Sequence, residues 1–189
     1  MSRAPTIAVI LAAGGSTRMG TPKALLPMGT ETFLSAHIRR LQAAGLPVRV
    51  AVGAHRARIE AVTVAAGGVP FQNEAWASTG PFDSLRICAA DLTASARLLV
   101  TPVDVPPAPI QTIRSLVAEP GPVVPLSRGV EAHPVIVEAR AVQQAAPGVT
   151  LRQVLLDAPR VPARLPDGTR NLNTPEDLRR WQSAVAARR

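Results

Sequence analysis

The chain has 189 residues, 47% of them hydrophobic and 18% charged, which suits a globular protein with a full core. Its longest apolar runs, such as TIAVILAAGG, are too short to span a bilayer, no signal-peptide order opens the chain, and one cysteine, Cys88, excludes an internal disulfide framework and fits a cytoplasmic setting. The formal charge of +8 points to anionic partners; scattered arginines, 3% aromatics and no tyrosine argue against nucleic acid and for a phosphate-bearing small molecule.

The elements follow in chain order. TIAVIL (6–11) reads as a buried strand, apolar and β-branched, and runs into the glycine-rich stretch LAAGGSTRMGTPKALLP (11–27). ETFLSAHIRRLQAAG (31–45) places Phe33, Leu34, His37, Ile38 and Leu41 on one helical face, and Gly45 ends it. VRVAVG (48–53) is a second buried strand, ARIEAVTVAA (57–66) a short helix and VPFQN (69–73) a short strand. PFDSLRICAADL (81–92) reads as a helix with Phe82, Leu85, Cys88 and Ala89 inward, and RLLVTPV (97–103) as a strand ending at Asp104. PIQTIRSLVAE (109–119) is helical. PVVPL (122–126) and HPVIVEA (133–139) look like strands joined by a turn, TLRQVLLD (150–157) is helical and VPARLP (161–166) is a late strand. Thr174 caps a last helix, with Pro175 at its first position and Asp177 in its first turn.

Strands alternate with helices to about residue 120, which predicts an α/β fold: three layers, a mostly parallel sheet and helices on both faces. No linker, repeat or low-complexity stretch interrupts it, so one domain over 1–189 is expected. Ligands of such sheets bind beyond the carboxyl ends of the strands. The glycine-rich loop and Asp104 both fall there.

Lys23 is the chain's single lysine, in a protein that otherwise uses arginine. Its ammonium is a compact point charge suited to a phosphoryl oxygen, and Arg18 can fork onto phosphate oxygens. Gly14, Gly15 and Gly20 let backbone N–H groups turn together into an anion-binding nest. The spacing is neither GxGxxG nor GxxxxGK[ST]. Phosphoryl chemistry at such a nest calls for magnesium, and Asp104 is the carboxylate best placed to hold it. The three histidines stand beside no catalytic serine or cysteine; His37 belongs to helix packing and Cys88 to the core, and no His/Cys spacing suggests zinc.

The stretch LAAGGSTRMGTPKALLP resembles the signature, roughly LAAGxSxRMGxxKxLLP, of nucleotidyltransferases related to molybdenum-cofactor cytidylyltransferase and guanylyltransferase. The resemblance implies a Rossmann-like nucleotidyltransferase fold. It also implies a Mg²⁺-dependent reaction in which an NTP and a phosphorylated acceptor, molybdopterin foremost, give a nucleotide-linked product and pyrophosphate, with onward transfer to a molybdoenzyme or its chaperone. Carried onto this chain, it makes Arg18 and Lys23 catalytic. It gives nucleotide contacts to Leu11, Ala12, Ala13, Gly14, Gly15, Ser16, Arg18 and Lys23, and, through NEAWASTGPFDSL, to Asn73, Gly80 and Ser84. His55 is a further nucleotide-side candidate. VTPVD matches the metal-binding strand end and supplies Asp104; HPVIV matches a substrate-side element and supplies His133. NLNTPEDL matches the closing motif, with Asn173 as second metal ligand beside Asn171.

The chain departs from this pattern in places. Cytidylyl members often carry aspartates where Asn171 and Asn173 stand, whereas guanylyl members tend toward N-x-N-T-P-E. Cys88 stands at a position often held by glycine, and Ala132 replaces the glycine before HPV. Ala13 gives LAAG, which favours CTP over GTP as donor. A sugar phosphate, methylerythritol phosphate or phospholactate is an alternative acceptor, and a non-catalytic nucleotide-binding module the alternative to an enzyme.

Overall fold

A five-stranded sheet forms the centre of the computed structural model, which describes residues 4–166 and 171–187. The elements are β1 (Thr6–Leu11), β2 (Pro27–Met28), β3 (Glu31–Thr32), α1 (Phe33–Ala43), β4 (Val48–Val52), α2 (Arg56–Ala65), β5 (Val69–Gln72), α3 (Pro81–Ala89) and β6 (Arg97–Pro102). They continue with α4 (Ile110–Ala118), β7 (Val124–Ser127), β8 (Val130–Glu131), β9 (Val135–Glu138), α5 (Ala139–Gln144), α6 (Leu151–Val154), β10 (Arg160–Pro162) and α7 (Pro175–Ala186). The central order is β5-β4-β1-β6-β9, parallel except for β9, which runs antiparallel to β6.

Alternation along β1 sorts the two faces. Ala8 and Ile10 join Leu34, Ile38, Ile59, Ile113 and Leu116 from α1, α2 and α4. Ile7 and Val9 join Phe82, Leu85, Cys88 and Val142 from α3 and α5. Burying one such aliphatic side chain stabilises the fold by roughly 1.5–3 kcal/mol, so the two clusters hold the three layers together. Among the described residues no helix is long and apolar enough to cross a membrane.

The chain builds β1, β4 and β5 outward in one direction and then returns to place β6 on the other side of β1. The reversal opens a crevice at the carboxyl ends of β1 and β6. The glycine-rich loop leaves β1 there, and Asp104 leaves β6 there.

Four local departures from the sequence reading have physical causes. Helix α1 starts at Phe33 rather than 31, because Glu31 pairs with Met28 in a small hairpin and Thr32 caps the helix through Ser35. Strands β7 and β9 are not a hairpin. They touch through a single bridge, Val123 with Ile136, while β7 joins a second sheet, β10-β7-β8. The helix expected over 150–157 is one turn, and the Arg160 guanidinium takes the carbonyls beyond it: Leu155 at 3.3 Å, Leu156 at 2.6 Å and Ala158 at 2.6 Å. The late strand ends at Pro162, with one last bond to β7 from the Ala163 amide to the Leu126 carbonyl at 2.8 Å, and Pro162 sits on the edge side where no ladder N–H is needed. Helix α5 had no counterpart in the pattern.

Candidate active site

The glycine-rich loop is pinned at both ends. At its start Ala12 donates to the Ala51 carbonyl at 3.0 Å, and the Ala13 carbonyl accepts from Ala54 at 3.0 Å. At its far end Met19 and Leu26 are buried with Phe33, Leu172 and Trp181 in a third apolar cluster. Phe33 and Trp181 meet edge to face, with ring centroids 5.1 Å apart. Between the anchors Ser16 adopts a left-handed backbone, φ 53°, and its hydroxyl accepts from the Lys23 amide at 3.0 Å. Lys23 therefore projects from a short 3-10 turn whose position is set on both sides.

Its ammonium bridges two distant segments. Lys23 Nζ lies 2.8 Å from Asp104 Oδ2 and 2.7 Å from Asn173 Oδ1, and Arg18 donates to the same Asn173 oxygen at 3.2 Å. The Lys23 and Asp104 side chains are only 13% and 15% exposed. Desolvation makes their interaction strong and makes each costly to leave alone. The Asp104 backbone helps to hold the cluster, because its carbonyl accepts from the Leu172 amide at 2.7 Å. Asn173 is fixed from behind: its amide and that of Thr174 donate to Asp177 Oδ2 at 3.0 and 2.8 Å. Those bonds, the Thr174 side chain foremost, hold the Asp177 carboxyl below its ordinary pKa.

Asp104 Oδ1 is buried and has no hydrogen-bond partner. A carboxylate oxygen buried without a donor is an open ligand position. Among the described residues no group of three or more His, Cys, Asp or Glu side chains is placed to hold a metal. A cation at Asp104 would take most of its ligands from a nucleotide's phosphates and from water, as magnesium does.

A cavity of about 290 Å³ opens over this cluster. Leu11, Ala12, Ala13, Gly14, Ser16, Lys23, Gly80, Ser84 and Asp104 line it, as does Asn171. Size alone would mislead, since a larger cavity of about 740 Å³ between α1 and α7 carries none of these side chains.

Other residues singled out in the sequence stand elsewhere. Arg18 is exposed and reaches the cluster through Asn173, and Gly15 packs under Trp76. Asn73 is buried and donates to Thr79 Oγ1 at 2.9 Å and Ser84 Oγ at 3.0 Å, so it supports the wall from behind. His55 is exposed at the start of α2 and is not among the residues lining the cavity; a left-handed backbone, φ 55°, turns the chain into the helix there. His37 is buried in the core, its Nε2 2.9 Å from the Val105 carbonyl, and burial lowers its pKa to about 4. Burial also raises the Cys88 thiol to about 12, which keeps it protonated and unreactive.

His133 lines a neighbouring cavity of about 380 Å³ with Glu131, Arg152 and Arg160. The pairing of Val100 with Val135, continued two residues, sets His133 level with Pro102 at the end of β6. Its Nδ1 is buried without a partner, and burial lowers its pKa, leaving a neutral ring.

Sequence reasoning missed Trp76, which also lines the main cavity and is 38% exposed. The available signal was a tryptophan amid small and polar residues in NEAWASTG, outside any amphipathic period, in a chain with only two tryptophans.

A model of the MobA-like NTP transferase domain matches residues 8–159, from β1 through α6. The chain belongs to the MobA-like NTP transferase family. Nucleotidyl transfer is the reaction class of that family. A probable molybdenum cofactor guanylyltransferase of Rhodopirellula baltica is 34% identical over 119 residues, 60% of this chain and 54% of that protein, so the match spans about half of the curated relative's length. Among solved structures, a nucleotidyl transferase from Methanothermobacter thermautotroptrophicus superposes with a TM-score of 0.80 at 22% identity, covering 97% of this chain and 99% of its own. A protein of Mycobacterium tuberculosis H37Rv in complex with manganese gives 0.74 at 19% identity, covering 96% and 100%. These structures share the three-layer fold of this MobA-like domain.

Proposed function

We propose that this chain transfers a nucleoside monophosphate from an NTP to a phosphorylated acceptor with release of pyrophosphate, that magnesium assists the transfer, and that molybdopterin is the acceptor. The observation that carries this reading is the meeting of Lys23, Asp104 and Asn173 beneath the glycine-rich loop. In the free protein they satisfy one another. A triphosphate offers Lys23 and Arg18 stronger anionic partners and frees the carboxylate and the amide oxygen. Asp104, whose Oδ1 has no partner in the free protein, and Asn173, as a neutral oxygen ligand, are the residues that would hold the metal. When bound, magnesium supplies charge neutralisation between two anionic reactants.

The remaining chemistry falls to the chain's own groups. Backbone amides of residues 13–16 and the Arg18 guanidinium orient the polyphosphate. An acceptor phosphate oxygen, already ionised near neutral pH, forms the new bond to the α-phosphorus. The bond from the α-phosphorus to the bridging β-oxygen breaks, and pyrophosphate leaves with its charge met by Lys23. No general base is needed. His133 supports an acceptor position across the end of β6, because it lines the cavity adjoining the main one.

Three observations bear on the base. The Asn171-x-Asn173 pair and the guanylyltransferase named among the relatives favour GTP. Ala13 favours CTP. Pyrophosphate release measured with each of the four NTPs, with and without magnesium, against molybdopterin, a sugar phosphate, methylerythritol phosphate and phospholactate decides both questions. The expected result is magnesium-dependent release with molybdopterin and one preferred NTP. Tight NTP binding without release under any acceptor would make the chain a binding module instead.

A further inference from the structure

Trp76 stands apart from the other aromatic side chains. Phe33, Phe82 and Trp181 are buried and Phe71 is half-buried, whereas 38% of Trp76 is open. Its seat is built for it. A methyl group added at Gly53 would stand 2.6 Å from Trp76 Cβ, 2.8 Å from its Cγ and 2.7 Å from the Ala13 carbonyl. One added at Gly15 would stand 3.3 Å from the far ring of the indole. Two glycines, one just past β4 and one in the loop after β1, thus let the indole lie against bare backbone. The rest of its surface faces the main cavity.

Sheet order decides which part of a triphosphate meets it. Asp104 follows β6 and Gly53 follows β4, and these strands flank β1 on opposite sides. With phosphates at Lys23 and Asp104, a nucleotide lying across the β1 loop carries its base toward the β4 side. Trp76, Gly80 and Ser84 wait there. A flat ring on a rigid seat suits stacking of a planar heterocycle, and it is tolerant of which base arrives.

We infer that Trp76 is the base-stacking residue of the donor site, contributing to affinity for the nucleoside rather than for the phosphates. This rests on the triphosphate-binding reading above. The test compares two probes on the full chain by calorimetry in magnesium: the nucleotide (GTP and CTP in turn) and inorganic tripolyphosphate, which has no base. In Trp76→Ala the dissociation constant for the preferred nucleotide should rise roughly 10- to 100-fold, the range expected of one base–aromatic stack, while that for tripolyphosphate stays within about two-fold. Trp76→Phe keeps a ring and should recover most of the loss. In the unaltered protein the nucleotide should quench tryptophan fluorescence, and Trp76→Phe should abolish that quenching, since Trp181 lies buried in the third cluster.

Equal weakening toward both probes would show that Trp76 only props the loop, and unchanged nucleotide affinity would show that it touches nothing; either overturns the inference and leaves the function standing. A wild-type protein that binds neither nucleotide overturns the function and this inference together. The Trp76→Phe fluorescence comparison decides the matter even where Trp76→Ala does not fold.

Discussion

On the β6 flank of the cleft, a lysine at 23, an aspartate at 104 and an asparagine at 173 are brought together from three loops and bind one another. On the β4 flank, an indole rests on two glycines, and the fit is one of shape. Under the proposed function the first flank handles charge that changes during reaction, and the second offers a surface that does not change. Substitutions on the first should therefore lower the rate, with a loss of stability where a buried charge is left unpaired, while substitutions on the second should lower affinity or stability without touching the charges.

The contrast can be broken at several points. Asp104→Asn keeps the shape and removes the charge. It should lower the rate of pyrophosphate release by about 10³-fold or more, and lower the melting temperature as well, because the Lys23 ammonium loses its buried counter-charge. Gly53→Ala should act through shape instead. Its methyl group meets backbone at 2.7 Å, so the fold loses about 1–3 kcal/mol in denaturant titration and Trp76 shifts.

Protonation tests the scaffold behind the charged flank, where His37 ties α1 to the loop after Asp104. Its folded pKa of about 4 lies below the unfolded value of 6.5, so the unfolded chain takes the proton first. The contribution is fully present above pH 6.5 and falls between 6.5 and 4, by up to about 1.4 kcal/mol per pH unit. Melting curves from pH 7.5 to 4.5 should show that slope, and His37→Gln should flatten it. The smallest effect is expected at the cap that holds Asn173. Thr174→Ala removes a side-chain bond to the Asp177 amide and should cost about 1 kcal/mol of stability, read by thermal melting.

The same contrast explains what could be read in advance. The βαβ succession, the crevice and the Lys23–Asp104 side of it were legible, because buried strands are apolar runs and a lone lysine or a strand-end aspartate is visible as a residue type. The Thr174 cap was legible for the same reason. Trp76 and Gly53 were not, since their relation is a close approach between segments 23 positions apart that no local period encodes. Leu172 was also missed as the anchor that packs with Met19 and Leu26, because its partners belong to a loop 150 residues earlier. The second sheet escaped for another reason: β7, β8 and β10 are two to four residues long, and Pro125 and Pro162 interrupt their patterns.

The account turns on Lys23, and replacing it is the most direct test. Lys23→Ala should reduce single-turnover pyrophosphate release with the preferred NTP and acceptor by about 10³-fold, while the protein still melts cooperatively, at a temperature lowered by the loss of the buried Asp104 partner. A folded Lys23→Ala protein that releases pyrophosphate within ten-fold of the wild-type rate would contradict the assignment of this cleft as the transfer site.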